Sequence, residues 1–461
     1  MQRINIYFRF ILLFFLIFNG LIYSQQTDLH LTTKERTETI QKIERLLTDN
    51  YVFADTATKC VEFLQEQIES GSYNDLSHPR AFVRQINSDL SKIHHDPHLR
   101  LTFVVPEAQR FEDKQPDLAL LTRLLDRRMD NYGIRDVRIL TGNIGYLNLS
   151  SFEPPEMSKT GLIAALQLLQ NTSAMIIDLR QNVGGNLFTV QFICSYFMVP
   201  PKLLFSYYWR RGNYVENYYI LDKIPGRRRP DVPIFILTGP QTFSAAEEFA
   251  YSMQIQKRAQ IIGERTGGGA NPGFVFDISP RFSIFIPTGR AINPVSGTNW
   301  EGKGITPDIK VDQDQALNAA LDRAGPAART FQSVSDNKAA GELIVLTNLL
   351  THLQSDSSAQ ALSGLDSVLD RLREKDLIEE WTINELAYRY LNQEFYTVAL
   401  ALFNYNTSRF PDSANAFDSL AEAYYRMHDP QNAKKNYEHS LLLDPDNQNA
   451  AYMLKKLGKE P

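Results

Sequence analysis

"PIFILTGPQTFSAAEEFAYSMQIQKRAQIIGERTGGGANPG", residues 233–273, changes rhythm twice. Ile234 to Leu237 is an unbroken apolar run of strand length. "SAAEEFAYSMQIQ" then spaces its apolar residues as a helix does, and "AQIIGE" returns to a strand. The same alternation runs upstream. "GNIGYLNLSSF" (142–152) reads as a strand, "SKTGLIAALQLLQN" (158–171) as a helix, "SAMIIDLR" (173–180) as a buried strand and "NLFTVQFICSYFMV" (186–199) as a helix. Strands alternating with helices predict an α/β layer domain. Ser244 stands where strand gives way to helix. With Glu247 it forms the S-x-x-E capping box, and as a cap it would only satisfy orphan amides. The same position suits a nucleophile, because helix N-terminal amides and the macrodipole stabilise an oxyanion there. The local chemistry allows both.

"DLRQNVGGN" (178–186) is a second strand-to-helix junction. Without Cβ atoms, Gly184 and Gly185 let a backbone N–H approach a ligand oxygen, although a plain turn explains the pair as well. "HHDPHLRL" (94–101) places three of the eight histidines together. His94 and His98 are four apart, but Pro97 interrupts the helix a metal pair would need, and no H-E-x-x-H occurs. "GERTGGGA" (263–270) lacks the lysine–hydroxyl pair of a phosphate loop. No metal or cofactor is expected.

Taken in order, "GNIGYLNLSSF", "AMIIDLRQNVGGN", the 233–273 stretch and "NWEGKGITPDIKV" (299–311) resemble the C-terminal-processing, or tail-specific, serine protease family. The likeness covers roughly 135–320, and 35–104 more loosely. It implies a crotonase-like α/β core with Ser244 as nucleophile, and an oxyanion hole from Ala245 N–H and the N–H of Gly184 or Gly185. The lysine base of the best-known branch is absent: Gly263-Glu264-Arg265-Thr266-Gly267-Gly268-Gly269 offers only an arginine, which stays protonated. There is also no room for a PDZ domain, since 105–141 reads as a loop and a short helix. The chain is more similar to the tricorn-type and interphotoreceptor retinoid-binding protein-like branch. That likeness implies a triad of Ser244, His98 and Glu301, with the carboxylate steering the imidazole. Neighbouring Trp300, Glu301 reads otherwise as a surface carboxylate.

The flanks differ from this core. Residues 25–104 read as helices, with Ile40, Ile43, Leu46 and Leu47 at helical spacing, ending in the strand pattern "HLRLTFVV". The core spans 105–325, and "AGPAARTFQSVSDN" (324–337) reads as a linker. Residues 336–461 are helical and repeat internally: Leu386, Ala387, Tyr390, Ala399, Phe403 and Pro411 recur 34 positions later as Leu420, Ala421, Tyr424, Ala433, Tyr437 and Pro445. The pattern resembles the tetratricopeptide repeat, whose occupant would be a protein or peptide partner.

Residues 1–24 have the layout of a secretory signal peptide, with early Arg3 and Arg9, an apolar run from Phe10 to Phe18, and Ser24 before Gln25. An uncleaved anchor is the alternative, although the run is short of the roughly 20 residues that span a bilayer. After cleavage, an exported protein, periplasmic or secreted and without a membrane span, is expected. Cys60 and Cys194 are too few and too far apart for a disulfide framework. The net charge of −5 leaves no basic footprint for nucleic acid. Three functions follow: a serine peptidase acting on a polypeptide substrate; a non-catalytic binding module for an apolar ligand or protein, with the aromatic stretch 203–220 lining its groove; or a scaffold working through its repeats.

Overall fold

The computed structural model describes residues 30–104, 116–355 and 359–458. The expected signal peptide and the polar loop near 106–116 lie, the latter almost wholly, outside them. The chain divides into two compact units, 1–331 and 332–461.

The first unit opens with helices α1 (Thr33–Asn50), α2 (Ala54–Glu69) and α3 (Pro79–Ile93), followed by strand β1 (Arg100–Phe103). Thr32 and Glu35 form a reciprocal capping box at the start of α1, and Pro79 occupies the first position of α3. The apolar faces of these helices do not close on themselves. Ile40, Ile43, Leu47, Phe82 and Ile86 share a core with Phe282, Ile284 and Ile286 of a later strand, so the N-terminal helices are seated on the rest of the unit.

Helix α4 (Pro116–Met129) follows, then β2 (Ile134–Leu140), β3 (Ile144–Leu149), α5 (Pro155–Leu168), β4 (Ala174–Asp178) and α6 (Leu187–Phe197). β2 corrects the reading of 105–141 as loop and helix alone; its irregular polar-apolar order gave no alternation. The hairpin β5 (Leu203–Trp209) and β6 (Tyr214–Tyr219) precedes β7 (Ile234–Thr238), α7 (Ala245–Ile255) and β8 (Gln260–Gly263). β9 (Gly273–Ser279), β10 (Phe282–Pro287), β11 (Gly289–Ile292) and β12 (Ile309–Lys310) complete the strands.

The central sheet has the order β12-β8-β7-β4-β3-β2, parallel throughout except for the antiparallel edge strand β2. Its strands are apolar on both sides because both faces are covered. Met175, Ile177, Ile234 and Ile236 pack under α5, α6 and α7, whereas Ala174, Ile176, Phe235 and Leu237 face the other way. There they meet Ala316, Ala320, Ala324 and Ala328, a stripe of small residues four apart on helix α8 (Ala316–Leu353). Residues 324–337 therefore do not form a linker: the alanine-rich flanks carry the helix through Pro326, which lacks one N–H but is surrounded by strong helix formers.

Beyond residue 331 the chain is all helix: the rest of α8, α9 (Ala359–Glu374), α10 (Glu380–Asn392), α11 (Tyr396–Arg409), α12 (Ala414–Arg426), α13 (Pro430–Leu443) and α14 (Gln448–Leu457). Ala387, Ala399 and Phe403 are buried, as are Ala421, Ala433 and Tyr437 one repeat later. The small residues bring helices close and the rings fill the space between them. Equivalent helices also bond across the repeat, Tyr388 Oη donating to Glu422 at 2.9 Å.

Candidate active site

Parallel sheets bind ligands outside the carboxyl ends of their strands. Three loops converge there: 179–186 after β4, 239–244 after β7 and 264–272 after β8. Thr242 Oγ1 donates to the Leu179 carbonyl at 2.8 Å and accepts from Gly239 N–H at 3.0 Å. Phe243 N–H donates to the Asn182 carbonyl, and Gly267 N–H to the Thr242 carbonyl, both at 3.0 Å. The loops thus hold one another.

Ser244 is half-buried with φ 54° and ψ −120°. It is a helix cap, its N–H donating to Glu247 Oε2 at 2.9 Å. Every other α-helix N-cap whose dihedrals are described has a negative φ. A cap does not need this conformation, which costs a non-glycine residue about 1–3 kcal/mol. It is the strained strand-to-helix turn on which nucleophilic serines are displayed.

Beside it, a Cβ at Gly184 would lie 2.9 Å from Ser244 Cβ and 3.0 Å from Ala245 N, so only glycine fits this approach. Gly184 N–H is already committed, donating to Asn182 Oδ1 at 2.9 Å. The N–H groups of Ala245 and Gly185 have no acceptor among the described residues. Of the two glycines expected as oxyanion donors, Gly185 is the one with a free N–H.

His98 sits between α3 and β1, half-buried, its ring 4.6 Å from that of Phe243 and stacked at 5.4 Å on Phe285. Burial lowers its imidazole below the ordinary value, outweighing the nearby Asp96 carboxylate, and favours the neutral form a general base requires. The ring thus lies against the residue preceding Ser244, although no hydrogen bond joins His98 to Ser244 among the described residues. Catalytic hydrogen bonds are often long in unliganded enzymes and tighten when substrate binds. A Cβ at Gly269 would lie 2.5 Å from His98 Cε1; the glycine leaves the ring its space.

Glu301 Oε2 accepts from Ala270 N–H at 2.7 Å and Asn271 N–H at 2.9 Å, pinning the third loop. The adjacent Trp300 Nε1 donates to the Gly269 carbonyl at 3.1 Å. One ring nitrogen of His98 and one carboxylate oxygen each of Asp96 and Glu301 lie within 4.8 Å of one another. Burial first, then the Asp96 charge, raises the Glu301 carboxyl to about 8. Three stretches far apart in sequence are therefore brought together around residues 98, 244 and 301.

His94 belongs elsewhere. The helix ends at Ile93, His94 is extended, and its ring packs 5.6 Å from Phe53 and 6.4 Å from Tyr51, so no i,i+4 pair with His98 forms. Arg265 Nη1 donates to the Lys303 carbonyl at 2.9 Å and supplies no base. Both cysteines are buried and free, and burial raises both thiols.

Sequence reasoning missed three contributors. Asp96 is buried and takes His98 N–H at 3.0 Å, a turn signalled by its place two residues before His98. Asn182 orients Gly184. Glu247 does more than cap: it also accepts from Thr266 Oγ1 at 2.5 Å, Gly268 N–H at 2.7 Å and Gly269 N–H at 2.8 Å, clamping the glycine loop to the turn that carries Ser244. Burial raises its carboxyl, against the opposing effect of these bonds.

A serine at positive φ thus stands at one junction, and an imidazole and two carboxylates gather on the far side of Phe243. Comparison with known proteins specifies the family. Residues 143–311 match the model described as peptidase family S41, and 25–127 match the N-terminal domain of peptidase S41 in eukaryotic IRBP. The chain belongs to peptidase family S41. It is 27% identical over 207 residues to a carboxy-terminal-processing protease of Bartonella bacilliformis, covering 44% of this chain and 45% of that protein. A carboxyl-terminal-processing protease of Picosynechococcus is 27% identical over 173 residues, covering 37% and 40%. The chain thus spans less than half the length of these curated relatives. Among solved structures, the photosystem II D1 C-terminal processing protease is 15% identical with a TM-score of 0.41, covering 64% of this chain and all of that one.

Proposed function

We propose that this chain is an exported serine peptidase that cleaves polypeptides through an acyl-enzyme formed on Ser244. His98 takes the Ser244 proton as Oγ attacks the scissile carbonyl. The N–H groups of Ala245 and Gly185 receive the oxyanion, a donor of this kind being worth roughly 3–4 kcal/mol. His98 then returns the proton to the leaving amine, and water hydrolyses the ester. Glu301, as carboxylate, orients the imidazole and stabilises its charged form. The repeats of residues 336–461 act as a tetratricopeptide-like docking module for a protein or peptide, and residues 1–24 direct export.

One observation carries this reading: a serine held at positive φ at the carboxyl edge of the sheet, followed by the Ala245 amide, which has no acceptor among the described residues, and packed against the Gly184–Gly185 turn. A fluorophosphonate should add to Ser244 of the folded protein, detected by peptide mass spectrometry. Ser244→Ala should abolish the adduct, and His98→Ala should slow it about 10²–10⁴-fold, the usual contribution of a general base. A folded wild type that takes no label refutes the proposal.

A carrier for apolar ligands is the second reading. It is favoured by a cavity of about 480 Å³, a volume typical of small-molecule sites, in which Trp209, Tyr214, Phe274 and Phe276 share the walls with Asp49, Asn50, Arg211, Glu216 and Thr288. A carrier would bind without being labelled.

A further inference from the structure

The geometry points to Asp96 as a positioning residue for this reaction: its carboxylate, set close to Glu301 and His98, keeps a proton on Glu301 and so sets the pH above which His98 works as a base. The inference rests on the peptidase reading for its consequence, but the carboxyl pair stands on its own geometry.

Asp96 is buried and well supplied with donors. Oδ1 accepts from His98 N–H at 3.0 Å and Leu99 N–H at 3.4 Å, and Oδ2 from Tyr51 Oη at 3.0 Å. Glu301 has the opposite balance: Oε2 is occupied by two amides, but Oε1 is buried without a partner among the described residues. His98 Nδ1 is likewise buried and unpartnered. Two carboxylates this close in a dry space cannot both be charged at low cost. Asp96 has donors on both oxygens whereas Glu301 has one oxygen bare, so Glu301 is the better place for the proton. The rise of the Glu301 carboxyl to about 8 agrees with this division.

The other groups around the pair do not reverse it. Tyr51 faces Asp96 as a neutral phenol raised by burial, and Cys60 faces Asp96 as a thiol raised to about 11. His95 presents its carbonyl to Gly302. Lys303 is exposed, and its carbonyl holds the Arg265 guanidinium. Glu247 lies behind Gly268 and Gly269, bonded to their amides.

While Glu301 is protonated, the only carboxylate near the imidazole is Asp96, whose oxygens are already taken by Tyr51 Oη and the amides of His98 and Leu99, so the ring N–H has no open acceptor. When Glu301 gives its proton to solvent, Oε1 becomes an acceptor for an imidazole N–H, leaving the other ring nitrogen basic toward Ser244. Activity should therefore rise as pH climbs through the Glu301 titration, and removing the Asp96 charge should move that rise toward acid.

The test is carboxyl ¹³C NMR of the full chain labelled at glutamate, with the Glu301 signal assigned through Glu301→Gln. The wild-type midpoint should lie well above the ordinary value near 4.3, and fall by about one pH unit or more in Asp96→Asn. Asp96→Ser, which also removes the charge, should lower it likewise and serves if Asp96→Asn does not fold. In parallel, the pH profile of fluorophosphonate labelling at Ser244 should shift with the NMR midpoint; a merely structural Asp96 would lower the rate without moving the profile. An unchanged Glu301 midpoint, or a labelling profile that stays in place, overturns the inference. No label on folded wild type at any pH overturns the peptidase reading and Asp96's part in it, while a midpoint that still moves keeps the carboxyl pair.

Discussion

At Ser244 the backbone conformation and the chemistry pull against each other. A serine at φ 54° is strained, and glycine at the same place is not. Ser244→Gly should therefore raise stability, by about 1 kcal/mol or a little more, while removing the nucleophile. Ser244→Ala, which keeps a Cβ, should not, and urea denaturation of the two variants checks the difference. This conflict was invisible in the sequence, because S-x-x-E is written identically for a relaxed cap and a strained one. The place of Ser244 at a strand-to-helix junction was legible, and so was the glycine pair at the neighbouring junction. Which glycine amide is free was not, since that depends on Asn182 reaching forward two residues along the chain.

Along helix α7, successive glutamates have separate tasks. Glu247 clamps the glycine loop, whereas Glu248 points into the core. There it accepts from Tyr207 Oη at 2.8 Å and Ser252 Oγ at 2.9 Å, and burial pushes its carboxyl up to about 7. The folded state thus holds a proton that the unfolded chain releases near 4.5, so stability should fall as pH rises through this interval and level off above 7. Glu248→Gln, which cannot ionise, should lose less Tm between pH 5 and pH 8 than wild type, by calorimetry at both values. Equal losses would show that Glu248 titrates normally. The alternating strands and helices around α7 were plain in the sequence because each strand is buried on both faces and reads as an unbroken apolar run. β2 escaped, being an edge strand with polar residues on its open side. The helix through Pro326 escaped too, because local propensity marks Gly-Pro as a break and only the alanine stripe against the sheet overrides it.

In the whole molecule, each unit has its own apolar clusters. Ala387→Asp places a charge in the fully buried seam of the repeats and should lower one thermal transition by several degrees. It should leave a second transition, and Ser244 labelling, unaltered in the intact chain. A single merged transition would contradict this independence. The repeat was legible because its small and large residues recur at a fixed interval, whereas the approach of His98 to Glu301 and to Phe243, the neighbour of Ser244, was reachable only through family likeness, since no local periodicity links residues so distant. That distance has a consequence for how the protein is made. Glu301 is the last of the three to be synthesised, and its carboxylate is what ties down the amides of Ala270 and Asn271. Under the proposed mechanism, a nascent chain that has exposed Ser244 but not yet Glu301 would have an untethered loop and an unsteered imidazole, so activity would wait until little of the first unit remains to be built.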